Sequence, residues 1–387
     1  LKSQPHRSDL AWEMAIRRRP AVRIVWERGA IIMKALEAVV EILKQEGVEH
    51  LFGYPMNNLI EAAAVGGIRP IIARTEKSLI NMADGYSRAT NGRKIGVITV
   101  QAGPGIENAF GGIAQAFADG TPLLVLPGGG EMSKHGLGGE FDPLPSFRHI
   151  TKWSARIPSP DRVPVMLRHA FAQLRSGRPG PVMLELPRDV AAIDLSGPLN
   201  YTAPAFVRSG GDPETVRDAA KLLIGANRPV IHVGHGVLWS EATGDLRELA
   251  ELLDAPVVTT IAGKSAFPET HRLSAGAGGL SIAHAAAWAL RDCDVVFGIG
   301  CSFAQGSFSP PIPSGKTVIH ATNDPADLDR HVQADLAIVG DARIVLRQLI
   351  EAVHALLSSG HVRTSRESFH SAIEGARLKG VADQIGR

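Results

Sequence analysis

Residues 70–122 read PIIARTEKSLINMADGYSRATNGRKIGVITVQAGPGIENAFGGIAQAFADGTP. Ile71, Ile72 and Ala73 form a short apolar run, and Arg74-Thr75-Glu76 follows it. Leu79, Met82, Ala83 and Tyr86 then recur at i, i+3, i+4 and i+7, the one-sided stripe of an amphipathic helix. Asn91-Gly92 ends that helix, because glycine tolerates the left-handed backbone that closes a helix. The continuous apolar run from Ile95 to Val100 reads as a buried strand. Gly103-Pro104-Gly105 turns the chain into a second helix that reaches about Ala118. This order predicts a parallel α/β layer with Glu76 at a strand-to-helix junction, where such folds place ligand sites. Gly85 lies inside the first helix at a cost of about 1 kcal/mol relative to alanine. Close packing of the helix on its sheet is the expected reason.

The same alternation extends in both directions. Before the stretch, a helix is expected at about 34–46, with Leu36, Val39, Val40 and Leu43 on one face. A strand near 50–52, the loop Tyr54-Pro55-Met56-Asn57-Asn58 and a helix to about Val65 follow. After it come a strand at 123–126, a glycine-rich loop at 127–146, a helix near 161–175 and a strand at 182–186. Residues 190–213 carry Pro, Gly and Ser with little periodicity and read as a linker. A second unit starts with a helix at 214–225, a strand at 229–233 and the turn Gly234-His235-Gly236. A helix near 240–253, strands at 257–260, 295–299 and 317–320, and a helix near 341–357 complete it. Strands alternating with helices predict two doubly wound parallel-sheet α/β domains, 33–189 and 214–357. Residues 1–32 are Arg-rich without a clean period and are expected to be a disordered extension. Residues 358–387 are expected to be a connecting segment.

Composition narrows the function. A chain of 387 residues suggests two or three domains, and its 44% hydrophobic content supplies apolar material for their cores. A net charge of +2 and 5% aromatic residues argue against a nucleic-acid surface or a base-stacking platform. Cys293 and Cys301 are the two cysteines, with no C-x-x-C; they form neither a disulfide framework nor a zinc site and fit a cytoplasmic protein. No His pair on a helix has a nearby acid, so no metal ligands are assigned. No apolar run approaches the roughly 18 residues that span a bilayer.

T-E-K-x(4)-MADGYSRAT at 75–90, GPG-x-x-N at 103–108 and G-I-A-x-A-x-A-D-x-x-P at 112–122 resemble the pyrimidine-binding domain of thiamine diphosphate enzymes. Within that family the likeness is to acetolactate synthases and related 2-oxoacid decarboxylases and carboligases. NRPVIHVGHGV (227–237), LLDAPVVTTIAGKSAFPE (252–269), DVVFGIG (294–300) and ATNDPADL (321–328) resemble the family's Rossmann-like central domain. The likeness runs from about Met33 to about Val353.

The resemblance implies that Glu76 hydrogen-bonds the aminopyrimidine of thiamine diphosphate and promotes loss of the C2 proton. The bland alternative is an acid in a helix's first turn, favourable toward the helix dipole. Pro55, Met56, Asn57, Gly103, Pro104, Gly105 and Asn108 are implied on the pyrimidine side. Three departures from the family pattern cluster around the substrate side. Met56 and Asn57 replace the glycines of a family Gly-Tyr-Pro-Gly-Gly, GGEFDP at 138–143 stands where Phe-Gln-Glu is usual, and Pro127-Gly128-Gly129-Gly130 replaces Gly-Gln. FAD is the weaker implication. Arg148 matches a family arginine and Asn323-Asp324 a strand end near the adenine half. Yet Cys301-Ser302-Phe303-Ala304-Gln305 lacks the usual Arg-Phe-Asp-Asp, and a triple-glycine turn has become Gly234-His235-Gly236.

The family's third domain binds diphosphate and magnesium through Gly-Asp-Gly and later Asn residues. Gly211-Asp212, Gly244-Asp245 and Gly340-Asp341 are the only Gly-Asp pairs, and none continues to Gly. Magnesium ligands are therefore expected outside this sequence, in a longer chain or a separate subunit. The implied protein is a 2-oxoacid decarboxylase or carboligase assembled as a homodimer or homotetramer. The rival is a non-catalytic nucleotide- or partner-binding module that keeps both α/β domains.

Overall fold

The computed structural model describes residues 26–27, 30–31, 33–278, 282–306, 309 and 311–385. It divides into two compact units between Phe206 and Val207. The expectation for residues 1–32 lies outside the described residues, apart from the antiparallel pair Trp26–Glu27 and Ala30–Ile31.

The first unit runs α1 (Ala35–Gln45), β1 (His50–Tyr54), α2 (Asn57–Val65), β2 (Arg69–Ile72), α3 (Glu76–Ala89), β3 (Gly96–Val100) and α4 (Pro104–Ala118). It continues with β4 (Leu123–Val125), β5 (Gly128–Gly129), α5 (Pro143–Phe147), β6 (Trp153–Arg156), α6 (Val163–Arg175), β7 (Pro181–Pro187) and α7 (Arg188–Ala192). The seven strands form one sheet in the order β2-β1-β3-β4-β7-β5, with β6 also paired to β7, and every pairing is parallel. Leu123 lies opposite Pro181 and Gly128 opposite Leu186, so β5 resumes β4 along β7 without a change of register. β3 and β7 are buried throughout, as parallel strands covered on both faces must be. Ile42, Leu43, Leu167 and Phe171 fill one face of the sheet; Leu79, Ile80, Ile106 and Ile113 fill the other.

Helix α3 corrects two expectations. Its buried face is Glu76, Leu79, Ile80, Ala83 and Ser87, whereas Met82, expected in the apolar stripe, is 43% exposed. Ile80 takes the inward place because it meets Gly112 of α4, where an added Cβ would lie 2.9 Å from Ile80 Cγ2. Gly85 is exposed, and a Cβ there would touch nothing, so it does not serve close packing. The close helix–sheet approach is made by Gly96, whose added Cβ would stand 2.4 Å from the Ala83 carbonyl oxygen. Ser87 ties the same point, donating to the Pro122 carbonyl and accepting from Gly96 N, both at 2.8 Å. Asn91 (φ +50°) and Gly92 (φ +72°) close the helix in left-handed backbone.

The segment 190–213 is fastened at each end to its own unit. The Tyr201 hydroxyl donates to Glu46 of α1, and the Arg168 guanidinium lies 5.5 Å over the Tyr201 ring. In the second unit Asp341 N donates to Ser209 O, and Gly211 N to Gln348 Oε1, both at 2.9 Å.

That second unit comprises α8 (Pro213–Gly225), β8 (Pro229–Val233), α9 (Gly236–Trp239), α10 (Thr243–Leu253), β9 (Val257–Thr259) and β10 (Ser274–Ala277). Then follow α11 (His284–Asp292), β11 (Val295–Ile299), β12 (Thr317–Thr322), β13 (Leu336–Val339), α12 (Ala342–Ser358) and α13 (Glu367–Ile385). Its six parallel strands are ordered β10-β9-β8-β11-β12-β13. Residues 358–387, expected as a connecting segment, hold α13, with Phe369 and Ile373 in the core under α11. The buried Arg366 precedes it and donates from Nη2 to the carbonyls of Leu223 (2.7 Å) and Ala226 (3.1 Å), closing the end of α8.

Candidate active site

In the first unit the chain passes from β1 to β2 on one side and then returns to β3 on the other side of β1. The loops leaving β1 and β3 therefore diverge, opening a crevice at the carboxyl edge, the usual ligand position in such sheets. Pro55, Met56 and Asn57 follow β1; Gly103, Pro104 and Gly105 follow β3; Glu76 begins α3 after β2. The structure thus gathers these residues on one edge of one sheet.

Glu76 is 8% exposed, and no described residue gives its carboxylate a hydrogen bond or an ion pair. Thr75 caps the helix in its place, accepting from Ser78 N at 3.2 Å. The residue as a whole is largely buried, with its carboxylate left without a partner among the described residues. The positive end of α3 favours a negative charge there. What such a group lacks is a donor from outside the chain.

Gly103 has φ +64°, and nothing approaches the position of a Cβ there, so the turn offers bare backbone and open space. Gly128 does the reverse. A Cβ built on it would sit 2.7 Å from Met56 Sδ and 3.6 Å from Ala102 N, so the Met56 side chain reaches Gly128 close beside the backbone that follows β3. On Gly129 a Cβ would lie 2.7 Å from Glu185 Oε1.

Glu185 and Arg156 are residues the sequence reading missed. The only signal was one acid inside the apolar run VMLELP. Arg156 Nε donates to Glu185 Oε2 at 2.6 Å and its Nη2 to Asp142 Oδ1 at 3.0 Å; Nη1 lies 2.6 Å from His135 Nδ1. Burial pushes the Glu185 carboxyl up, against the opposing pull of Arg156. Two expected residues are not drawn into this group: Asn108 is exposed on α4, and Arg148 is exposed on the turn leading to the amino end of β6.

The second unit has its own switch point between β8 and β11, and its glycines bring the loops together. Gly234 N donates to Ile299 O (3.0 Å), Gly236 N to Gly300 O (2.9 Å) and Thr260 N to Val233 O (2.8 Å). Helix α9, which starts in this turn, is four residues long. His232, Gly298 and His320 lie side by side in register on β8, β11 and β12. The Phe303 ring fills the gap over Gly298, stacked on His232 at 5.4 Å and edge-on to His320 at 4.8 Å. His320 Nε2 donates to the Cys301 carbonyl at 2.8 Å. The Gly234 and Gly236 amides are thus engaged within the protein. Among the described residues no three His, Cys, Asp or Glu side chains are grouped to hold a metal ion. No helix among them is long and apolar enough to cross a membrane.

Comparison with known proteins agrees with this division. Residues 33–149 match the family described as thiamine pyrophosphate enzyme, N-terminal TPP binding domain, and residues 216–349 match the thiamine pyrophosphate enzyme central domain. A probable acetolactate synthase large subunit of Methanocaldococcus jannaschii is 38% identical over 343 residues, covering 84% of this chain and 57% of that protein. The acetolactate synthase isozyme 3 large subunit of Escherichia coli K12 is 33% identical over 362 residues, covering 89% of this chain and 60% of that protein. An acetolactate synthase of Mycobacterium bovis is 34% identical over 345 residues, covering 84% and 54%. The chain therefore spans less than two thirds of the length of these relatives.

Proposed function

Because the chain belongs to the thiamine pyrophosphate enzyme family, we propose that its first unit holds the pyrimidine ring of thiamine diphosphate for a 2-oxoacid decarboxylase or carboligase of the acetolactate synthase type. The observation that carries this reading is Glu76, a largely buried residue whose carboxylate has no partner among the described residues, at the carboxyl edge of a doubly wound sheet. A nitrogen heterocycle that exchanges a proton would complete such a group. When bound, thiamine diphosphate supplies a carbanion stabiliser for bond cleavage beside a carbonyl.

This chain's residues would do the following. Glu76 would share a proton with a ring nitrogen. Gly103, with left-handed backbone and free space, lets the ring lie against the main chain. Pro55, Met56 and Asn57 form the wall after β1, and Pro104 and Gly105 fix the start of α4; Asn108, one turn on, faces outward toward a second copy. The diphosphate and magnesium ligands come from the remainder of a longer protein or from a separate subunit. The site is then shared between chains in a homodimer or homotetramer. The flavin that Arg148 implies is not part of this reading, and no step runs through it.

Glu76→Gln in the full-length protein tests this. Thiamine diphosphate binding should weaken but persist, while C2 proton exchange followed by NMR should fall by about 10²- to 10⁴-fold, the range for a lost general acid–base group. Unchanged exchange removes Glu76 from the chemistry. A panel of 2-oxoacids given to the same preparation identifies the donor.

A further inference from the structure

Gly128, Gly129 and Gly130 each receive a side chain from a different segment. Met56 lies against the first, Glu185 of β7 against the second and Glu140 against the third, and a Cβ at any of them would collide with that side chain. The loop that follows is held at its start by α7, through the Arg188–Glu131 ion pair and a bond from Met132 N to Asp189 Oδ2 at 3.0 Å. Farther on it is held by one side chain. Arg156 of β6 reaches Glu185 with Nε and Asp142 with Nη2, and its Nη1 lies 2.6 and 2.8 Å from the two ring nitrogens of His135. Between His135 and Asp142 the chain has little of its own to steady it. Gly136, Gly138 and Gly139 are left-handed at φ +81°, +80° and +82°, and a Cβ on any of them would touch nothing. Both ends of this excursion therefore rest on a single guanidinium.

A guanidinium donates and never accepts. The imidazole nitrogen that meets Nη1 must carry a lone pair, which the doubly protonated ring lacks. Protonating His135 thus replaces an acceptor by a second cation facing Arg156. The charges around this point are otherwise committed. Asp142 and Glu185 are engaged by Arg156, and Glu131 by Lys134 at 3.1 Å and by Arg188. Asp189 accepts from Met132 N, and Glu140 stands on Gly130.

We infer that Arg156 and His135 form an acid-sensitive latch: while the imidazole is neutral the guanidinium pins the loop 135–142 to β6 and β7, and protonation of the imidazole releases it. The loop starts from Gly128, beside Met56, so the latch acts on one margin of the carboxyl edge where Glu76 lies. It is a property of this chain and does not depend on the function proposed above.

Hydrogen exchange of the full-length protein, divided by the intrinsic rate at each pH, reads the latch at the amides of Lys134, His135 and Leu137, which bond within the loop. A free imidazole protonates at about pH 6.5. Between about pH 7.5 and 5.5 the released form should therefore gain about tenfold in the wild type relative to His135→Asn, whose side-chain oxygen accepts at either pH. Burial pushes the Glu185 carboxyl up. A proton taken up there favours the closed form, the opposite sign, and it is common to both proteins, so their ratio reads the imidazole. Arg156→Lys keeps the charge but loses the planar fork, and should leave these amides fast at both pH values. A ratio near one between wild type and His135→Asn overturns the latch, as does an Arg156→Lys protein whose loop stays protected. His135 is exposed, so its replacement decides the matter even where Arg156→Lys fails to fold.

Discussion

Both units place a switch point inside their sheet, one leaving it open and the other sealing it. In the first, Glu76 waits without a partner and Gly103 leaves space beside it. In the second, Gly234, Gly236 and Gly300 bring main chain against main chain, and Phe303 occupies the hollow that Gly298 leaves. Topology predisposes an α/β sheet to bind at this edge. The glycines differ in what they admit, open space in one case and the protein's own chain in the other. The two crevices also show why fold likeness alone does not assign chemistry.

Three measurements press on this contrast. The largest effect is expected from Gly234→Ala. Its Cβ would stand 2.2 Å from Gly300 O and 2.5 Å from Cys301 Cα, and neither backbone can yield cheaply. Overpacking usually costs about 1–3 kcal/mol, and a clash of two main chains should exceed about 3 kcal/mol in denaturant unfolding. A loss below about 0.5 kcal/mol would mean that the second crevice opens readily.

Next comes acid. Burial, with a smaller contribution from His320, holds His232 neutral down to about 4, well below its ordinary 6.5. The folded pKa is the lower one, so the unfolded chain takes up the proton first. Stability present above pH 6.5 is lost as the pH falls toward 4. At about 1.36 kcal/mol per pH unit the loss reaches up to about 3 kcal/mol. His320, also lowered by burial, adds to the same slope. Unfolding free energies at pH 7 and 4.5 should converge in His232→Phe relative to wild type. An identical pH dependence in the two proteins would place the acid sensitivity elsewhere.

The smallest effect concerns the open side. Gly85→Ala adds a Cβ that meets nothing within the chain, and should raise the stability of the isolated chain by about 1 kcal/mol through helix propensity. If the variant instead weakens self-association in sedimentation experiments, another surface lies close against that helix, and the glycine is kept for it.

Much of the frame was legible because parallel strands covered on both faces must be continuously apolar: IGVITV, PVIHV and VVFGI announce themselves. Other elements carry no such signature. Trp-Ser-Ala-Arg in β6 and Ser-Ala-Gly-Ala in β10 are short and mixed, and pairing with a stronger neighbour makes them strands. The inward face of α3 was misread by one position, because Ile80 and Met82 both satisfy a helical period and only Gly112 on the neighbouring helix decides between them. Glu76 was legible as a junction residue, but its lack of a partner was not, since partners come from distant segments. The same holds for Glu185 and Arg156, which meet across 29 residues of sequence.

The double fastening of the interdomain segment has a practical consequence. Tyr201 is anchored on one side and Ser209 on the other, leaving the short run Ala203-Pro204-Ala205-Phe206-Val207 as irregular chain, with Val207 74% exposed. A protease that accepts such a stretch would cut there before it reached either core. The products would be two bodies that each keep their own parallel sheet.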